Sequence, residues 1–308
     1  MRGWRFMVDE SGFAFDTGDP KIVESAFVRL LDLLAAVRDT PGQARRTDLL
    51  FDIESADGTT LIGWLSNPRI DRDTRNELWR RLDKLPVHDV EPQCLDVNVS
   101  SRPVTMAAGI SISLAESRAG RQIACLTTET AQRRGPCHVA ADATVAASIH
   151  FLVDDSDCPA FWRDVLLHEP HTADQLEQHS EQPFPNCVFA EGVWGQLNRF
   201  DGGHTEIWPR LLANLTGLDD HAVRVWAAHV EPRQRIEQMR ITAGVDCSPE
   251  SPRTHANPAA MRQRTVLFDG EPIVCEWHAK LERNRNRIHF AVRDGRVYIG
   301  RFVDHLTT

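Results

Sequence analysis

The chain has 308 residues, of which 42% are hydrophobic and 26% are charged, as in an ordinary globular protein. Its formal net charge of −9 excludes a protein that coats nucleic acid through overall positive charge. No apolar run of about 18 residues exists, so no transmembrane helix is expected, and a membrane is not an expected partner. The length predicts two domains, or one domain with a large appendage.

The first 155 residues are predicted to form a mixed α/β unit. Apolar residues at helical spacing predict amphipathic helices at 20–38 and 71–85, with Asp73 as the expected N-cap of the second helix. Short apolar or alternating runs predict strands at 4–8, 49–53, 60–65, 95–99, 110–114, 123–127 and 144–153.

Residues 156–232 are predicted to form a helical region, because the apolar period changes there. Helical patterns cover 161–169, 172–180, 188–198, 207–215 and 219–230. The following segment, 248–258, is rich in turn formers and is predicted to be a polar loop. Long polar loops beside a sheet often build sites, so His255 becomes a candidate substrate-binding residue.

Residues 233–308 are predicted to form a C-terminal antiparallel β segment. Side chains alternate along 273–281 and 287–292, and Asp294–Gly295 between two alternating runs predicts a hairpin. One face of these strands is apolar, and the other carries Glu276, His278, Lys280, Arg287 and His289. The predicted class is therefore α+β, with a mixed N-terminal unit, a helical middle layer and a small C-terminal antiparallel sheet.

Positive charge is concentrated at this end of the chain. Residues 278–308 contain seven Lys or Arg and three acidic residues, a net charge of +4, so the other 277 residues carry −13. A basic segment on an acidic chain indicates a local site for a polyanion.

The residue types on this polar face match those needed for cleavage of RNA without a metal. That reaction needs a base, an acid and cations that stabilise the charged phosphorane. Histidine titrates near neutral pH, and Lys and Arg supply fixed charge. The candidate catalytic residues are His278, Lys280, Arg287, His289 and Glu276. The candidate substrate-binding residues are Arg283, Arg285, Arg301, His305 and His255.

The run from Lys280 through Arg287–Phe290 and Asp294–Gly295 to His305 resembles the C-terminal sheet of the RelE/ParE/HigB toxin superfamily. The resemblance covers about residues 278–308. It implies metal-independent mRNA cleavage on this sheet by Lys, Arg and His side chains. The long acidic remainder would then regulate or recruit, as in a phage-defence effector, with an inhibitory or recruiting protein as partner.

Three alternatives stay open. The basic sheet could be a non-catalytic module of a defence or toxin–antitoxin system that binds nucleic acid, a nucleotide or a protein. It could belong to a metal-dependent nuclease in which Asp269, Glu276 and Lys280 act with Mg²⁺ or Mn²⁺. Alternatively, acids that end three N-terminal strands could bind two metal ions, as in RNase H-like enzymes. Those acids are Asp9, Asp52 and Asp96.

The seven cysteines predict a cytoplasmic setting. Their number is odd and no two form a Cys-x-x-Cys pair, so a disulfide framework or a zinc knuckle is not expected. The first residues also lack the apolar run of a signal peptide.

Overall fold

The structure is a computed structural model that describes residues 3–38, 40, 42–89, 92, 94–201, 204–283 and 285–306, without the side chains of 204 and 205. Helix accounts for 45% of it and strand for 23%, and the predicted α+β class is confirmed. The chain forms two compact units, Met1–Glu169 and Pro170–Thr308. The finer three-part division made from the sequence stays a prediction. Among the described helices, none is both long and apolar enough to cross a membrane.

In the described residues of the first unit there are seven strands and five helices. The strands are β1 (Trp4–Val8), β2 (Gln43–Arg45), β3 (Val97–Val99), β4 (Arg102–Val104), β5 (Ala124–Leu126), β6 (Gly135–Ala140) and β7 (Ala146–Leu152). The helices are α1 (Pro20–Arg38), α2 (Leu61–Leu65), α3 (Arg72–Lys84), α4 (Ala108–Arg118) and α5 (Cys158–His168). Short 3₁₀ turns occupy Glu10–Phe13, Asp48–Asp52, Glu129–Ala131 and Asp155–Asp157.

The seven strands of the first unit form one mixed sheet in the order β2-β1-β5-β7-β6-β3-β4. The first four strands are parallel, and the last four pair antiparallel. Every residue of β1 is buried, as expected for a parallel strand covered on both faces. One core joins Phe6 to Phe27 and Trp162, and a second joins Ile110 to Phe151.

Three strands predicted in the first unit are wrong. Residues 60–65 and 110–114 form helices α2 and α4, and residues 49–53 fall mainly in a 3₁₀ turn. In α4, Ser111 and Ser113 are buried between apolar residues, which imitates strand alternation. The Ser113 hydroxyl donates to the Gly109 carbonyl at 2.9 Å, so the helix itself satisfies this buried polar group.

The described part of the second unit has seven strands and six helices. The strands are β8 (Cys187–Phe189), β9 (Cys247–Pro249), β10 (Thr265–Phe268), β11 (Glu271–Val274), β12 (Trp277–Lys280), β13 (Arg287–Arg293) and β14 (Arg296–Val303). The helices are α6 (Ala173–His179), α7 (His204–Gly217), α8 (Val223–Ala228), α9 (Pro232–Ala243), α10 (Pro252–His255) and α11 (Pro258–Arg264). A 3₁₀ turn covers Trp194–Arg199, and a π turn covers Leu218–Ala222.

Five of these strands form a sheet in the order β8-β14-β13-β12-β9, and β10 and β11 form a separate hairpin. Strand β8 runs parallel to β14, and the other pairs are antiparallel. The hairpin predicted at Asp294–Gly295 joins β13 to β14. The strand predicted at 273–281 divides between the hairpin and the sheet, and the helix predicted at 188–198 is wrong.

Aromatic side chains pack on the apolar face of the five-stranded sheet. Trp277 and Phe290 contact Trp226 of α8, with ring centroids 4.8 and 5.7 Å from it. Phe302 of β14 packs edge-on against Trp194 at 5.3 Å. This packing fixes the strands, and the opposite face of the same strands carries the predicted site.

Glu10 is a fully buried acid in the first unit. Both of its carboxylate oxygens accept from the Gly109 amide, at 3.0 and 2.9 Å, and one accepts from the Thr47 hydroxyl at 3.1 Å. Burial, with a smaller effect of Asp9, raises the pKa of Glu10 to about 7. The folded state therefore holds this proton to a higher pH than the unfolded chain does.

The free energy of unfolding contributed by Glu10 should fall as pH rises from about 4.5 to about 7. A pKa shift of this size corresponds to about 3 kcal/mol in the free energy of unfolding. We expect Glu10→Gln to gain about this much stability relative to the wild type between about pH 4.5 and about pH 8. Urea unfolding followed by tryptophan fluorescence measures it. A stability difference that does not change over this range would contradict the prediction.

Candidate functional site: a buried glutamate and two histidines on a basic sheet face

The register of the sheet places the predicted residues side by side. His278 of β12 lies opposite His289 of β13, and Lys280 lies opposite Arg287. Arg301 of β14 lies opposite His289 on its other side. Because directly opposite residues in an antiparallel pair share a face, these five side chains occupy one face of three adjacent strands.

A β-bulge at Gly300 determines which face Arg301 occupies. Ile299 lies opposite Phe290 on the apolar face, whereas Arg301 lies opposite His289 on the polar face. Residues two apart in a regular strand would share a face, so the extra residue turns Arg301 to the polar side. Gly300 also packs so closely on Cys275 that an added Cβ would lie 2.5 Å from its sulfur.

The outer part of this face is a row of partly buried cations formed by Lys280, Arg287 and Arg301, called here the cation row. Lys280 Nζ lies 3.5 Å from Asp246, whose side chain is 61% exposed. Within the described part of the chain, Arg287 and Arg301 have no carboxylate in ion-pair range, and the Nε of each is buried without a hydrogen bond. Since Lys280 and Arg287 are like charges placed directly opposite, the row destabilises the sheet unless an anion is bound.

Next to the cation row lies a buried cluster of Glu250, His278 and His289, called here the Glu–His–His cluster. Glu250 follows strand β9, and its amide donates to the Glu276 carbonyl at 2.9 Å. Ser248 of β9 lies opposite His278, so Glu250, two residues further on, reaches the same face. The exposed fractions of the three residues are 8%, 6% and 0%.

One carboxylate oxygen is the centre of the cluster. Glu250 Oε1 lies 3.5 Å from His278 Nδ1 and 3.7 Å from His289 Nδ1. Among the described residues, neither His278 Nδ1 nor the two ring nitrogens of His289 have a hydrogen-bond partner, whereas Glu250 Oε1 is paired with Arg264. The Nε2 atom of His278 lies 3.1 Å from the Ser248 hydroxyl.

The charges inside the cluster follow from its surroundings. Burial by itself raises the pKa of Glu250, but His278 and the Arg264 guanidinium outweigh it and lower the pKa to about 2. Arg264 is buried, and its Nε lies 2.7 Å from Glu250 Oε1. Burial and the neighbouring His278 lower the pKa of His289 to about 3. At neutral pH the cluster therefore holds an ionised carboxylate and a neutral His289 imidazole.

Other predicted site residues lie away from the cluster. Glu276 is 44% exposed at the side chain and lies 3.6 Å from His255 Nε2. Arg285 pairs with Asp201 and with Glu282. Arg283 and His305 are exposed, and His305 Nδ1 lies 2.6 Å from the Leu306 carbonyl. The roles predicted for these residues stay predictions.

The acids proposed for metal-dependent alternatives do not form a comparable group in the described chain. Asp269 lies at the turn of the β10–β11 hairpin, and Glu276 lies beyond its other end. Strand β11 separates the two acids along the chain, and its four residues span about 13 Å at about 3.3 Å per residue. In the first unit Asp9 is buried and paired with Arg133, while Asp52 and Asp96 are exposed.

Sequence reasoning missed Glu250, Arg264 and Ser248, which complete the cluster. Strand β9 has only three residues and ends at Pro249, so no alternating pattern reveals it. The composition of 248–258 predicts only a polar loop. The available signal was the acid Glu250 in that segment and the arginine Arg264 after it, and neither residue's place in the sequence indicates that its side chain is buried.

Comparisons with family models, with curated proteins and with solved structures found no significant match to this chain. The resemblance of residues 278–308 to RelE/ParE/HigB toxins therefore stays a prediction. The function has to be argued from the geometry of the cation row and the Glu–His–His cluster.

Replacing Gly300 by alanine should destabilise the second unit by about 1–3 kcal/mol, because the new Cβ overlaps the sulfur of Cys275. Adding Cys275→Ala should recover part of the loss, which a double-mutant cycle in urea unfolding measures. Gly195→Ala is the matched control, since nothing lies within 4 Å of its added Cβ. Equal effects of the Gly300 and Gly195 substitutions would show this close packing to be unimportant.

Proposed function

We propose that the second unit binds the phosphate backbone of nucleic acid on the cation row and cleaves phosphodiester bonds at the adjoining Glu–His–His cluster. RNA is the preferred substrate, because its 2′-hydroxyl is an internal nucleophile. The observation that carries the proposal is the pair Arg287 and Arg301, which have no acidic partner among the described residues and border a buried carboxylate and two imidazoles.

The cation row suits a phosphate ester. Arginine forms paired, charge-assisted hydrogen bonds with phosphate oxygens, and lysine adds a point charge. The three cations lie on three adjacent strands, with Lys280 directly opposite Arg287 and Arg301 diagonally across from it, so an anion near Arg287 has a cation on each neighbouring strand. Binding would relieve the repulsion between Lys280 and Arg287 and would supply the buried Nε atoms of the arginines with acceptors.

In the metal-free route predicted from the sequence, His278 accepts a proton from the attacking 2′-hydroxyl, and the Lys280 ammonium donates a proton to the leaving 5′-oxygen. Glu250 beside Nδ1 would fix the orientation of the ring, and Nε2, which lies 3.1 Å from the Ser248 hydroxyl, would take the proton. Lys280 and Arg287 would stabilise the negative charge that develops on phosphorus-bound oxygens. His289 is uncharged at neutral pH, so in this route it serves as a neutral neighbour of His278.

The cytoplasm is the proposed location of this activity. All seven cysteines are free thiols, and five of them are buried. Burial raises the pKa of Cys158, Cys247 and Cys275 to about 12, so these thiols stay protonated and unreactive. A chain with this many reduced thiols suits a reducing compartment. A toxin or a phage-defence effector is the proposed biological setting, on the resemblance alone.

Labelled RNA and DNA, incubated with the protein in EDTA and in added divalent ions, test the activity. We expect RNA cleavage that His278→Gln lowers at least 100-fold while RNA binding persists, since general acid–base groups contribute about 10²–10⁴ in rate. Binding without cleavage in every condition would instead favour the non-catalytic binding module. Absence of both binding and cleavage would overturn the proposal.

Arg287→Gln tests the cation row by itself. We expect weaker RNA binding and a slope of log K against log salt that is smaller by about 1, since one phosphate contact is lost. Arg293→Gln is the matched control, because Arg293 lies on the same strand but is exposed and paired with Asp294 at 2.9 Å. Fluorescence anisotropy over a salt series gives both slopes. Identical slopes for the two variants would show that Arg287 does not contact the phosphate.

A further inference from the structure

We propose that Glu250, His278 and His289 form a binding site for one divalent transition-metal ion of the zinc type. One carboxylate oxygen and one nitrogen of each imidazole converge within 4.8 Å of one another. All three residues are buried, and in the described part of the chain His278 Nδ1 and both ring nitrogens of His289 lack a hydrogen-bond partner, whereas Glu250 Oε1 is paired with Arg264 Nε at 2.7 Å. Buried polar atoms are nearly always satisfied, so imidazole nitrogens without partners beside one carboxylate oxygen indicate a shared ligand.

The spacing of the three atoms fits an ion with short bonds. Two ligands of a tetrahedral ion, each about 2.1 Å from it, lie about 3.4 Å apart. The separations from Glu250 Oε1 to the two histidine Nδ1 atoms are 3.5 and 3.7 Å. Only small side-chain shifts would bring the three atoms to bonding distance of one ion.

The ligand types select the class of ion. Two imidazoles and one carboxylate, with a fourth position left for water or substrate, match the open arrangement of catalytic zinc sites. Imidazole suits zinc, iron and related ions, whereas Mg²⁺ prefers oxygen ligands and keeps its waters.

Two neighbours would hold the ligands in place. The Ser248 hydroxyl lies at the second ring nitrogen of His278, which leaves Nδ1 directed at the cluster. Arg264 pairs with Glu250 through the same oxygen that would bind the ion. A carboxylate oxygen offers two lone-pair directions, so both contacts are compatible, but competition from the guanidinium would weaken ion binding.

A competing explanation treats Ser248, His278 and Glu250 as a hydroxyl–imidazole–carboxylate relay, with Ser248 as a nucleophile. It accounts for the distances of 3.1 and 3.5 Å on the two sides of His278. It gives no role to His289, which is fully buried with both ring nitrogens unpartnered among the described residues. His289 therefore favours the ion over the relay.

The inference rests on the proposed function only for the role of the ion, and with the ion bound His278 serves as a ligand and no longer as the proton acceptor. An ion in the Glu–His–His cluster would lie next to the cation row. A phosphate oxygen held by Arg287 and Arg301 could then complete the coordination of the ion. The ion would stabilise the charge that develops on that oxygen. Ion binding itself is independent of any activity and can be measured without nucleic acid.

The test uses the full chain after treatment with a chelator, titrated with Zn²⁺ against a chromophoric competitor and with Co²⁺ by visible absorption. We expect one ion per chain and a Zn²⁺-dependent rise in Tm. His289→Gln and Glu250→Gln should each weaken binding more than 100-fold, since even outer-shell changes cost 10–100-fold. His255→Gln, which changes an exposed histidine 3.6 Å from Glu276, is the matched control and should bind as the wild type does.

Loss of folding cannot imitate this result, because circular dichroism and Tm are measured for each variant before the ion is added. The proposal fails if Zn²⁺ does not bind in a one-to-one ratio. It also fails if His289→Gln and His255→Gln bind equally, or if cleavage is lost in Ser248→Ala but unaffected by EDTA, as the relay predicts. Mg²⁺ should not raise the Tm, and a rise with Mg²⁺ alone would also contradict it.

The two proposals fail separately. If the ion binds and no RNA is bound or cleaved, the metal site stands and the nuclease function fails. If RNA is cleaved in EDTA and no ion binds, the function stands and the metal site fails. Arg287→Gln should weaken RNA binding without changing Zn²⁺ affinity, which separates the cation row from the cluster.

Discussion

The carboxylate of Glu250 is the constraint on which the polar face of the second unit depends. A buried charge is costly unless it is paired, and here the compensating guanidinium of Arg264 is buried with it. With that charge neutralised, the imidazole of His289 beside it can stay neutral and fully buried. The face thus combines an inner cluster that is balanced in charge with an outer cation row that is not.

The apolar side of the same strands makes this arrangement possible. Trp226 covers Trp277 and Phe290, so their immediate neighbours in sequence, His278 and His289, are directed to the opposite face. Because the strand pairing is fixed by that packing, His278 and His289 lie opposite each other, and slippage by one residue would expose the aromatic side chains. The bulge at Gly300 then places Arg301 on the polar face, whereas in a regular strand Arg301 would share the apolar face of Ile299.

The local sequence pattern was sufficient to predict the structure of segments whose own residues determine their conformation. The β13–β14 hairpin and the shared face of His278, Lys280, Arg287 and His289 follow from period-two alternation and an Asp–Gly turn. Glu250 and Arg264 could not be found in this way, because they reach the cluster from a three-residue strand and a short helix end. Their burial depends on tertiary packing. The same holds for Ser111 and Ser113, whose alternation with apolar residues makes the sequence of α4 resemble a strand.

Charge pairing within the second unit distinguishes the cation row from an ordinary basic surface. Arg285 has two acidic partners although it is exposed, and Arg210 also pairs with Glu282. Arg287 and Arg301 are less exposed, so an unpaired charge costs more there, yet in the described chain no acid accompanies them. Two unpaired, partly buried charges on adjacent strands lower the stability of the sheet at one place. That place adjoins the Glu–His–His cluster, as expected if an anionic ligand supplies the missing partner.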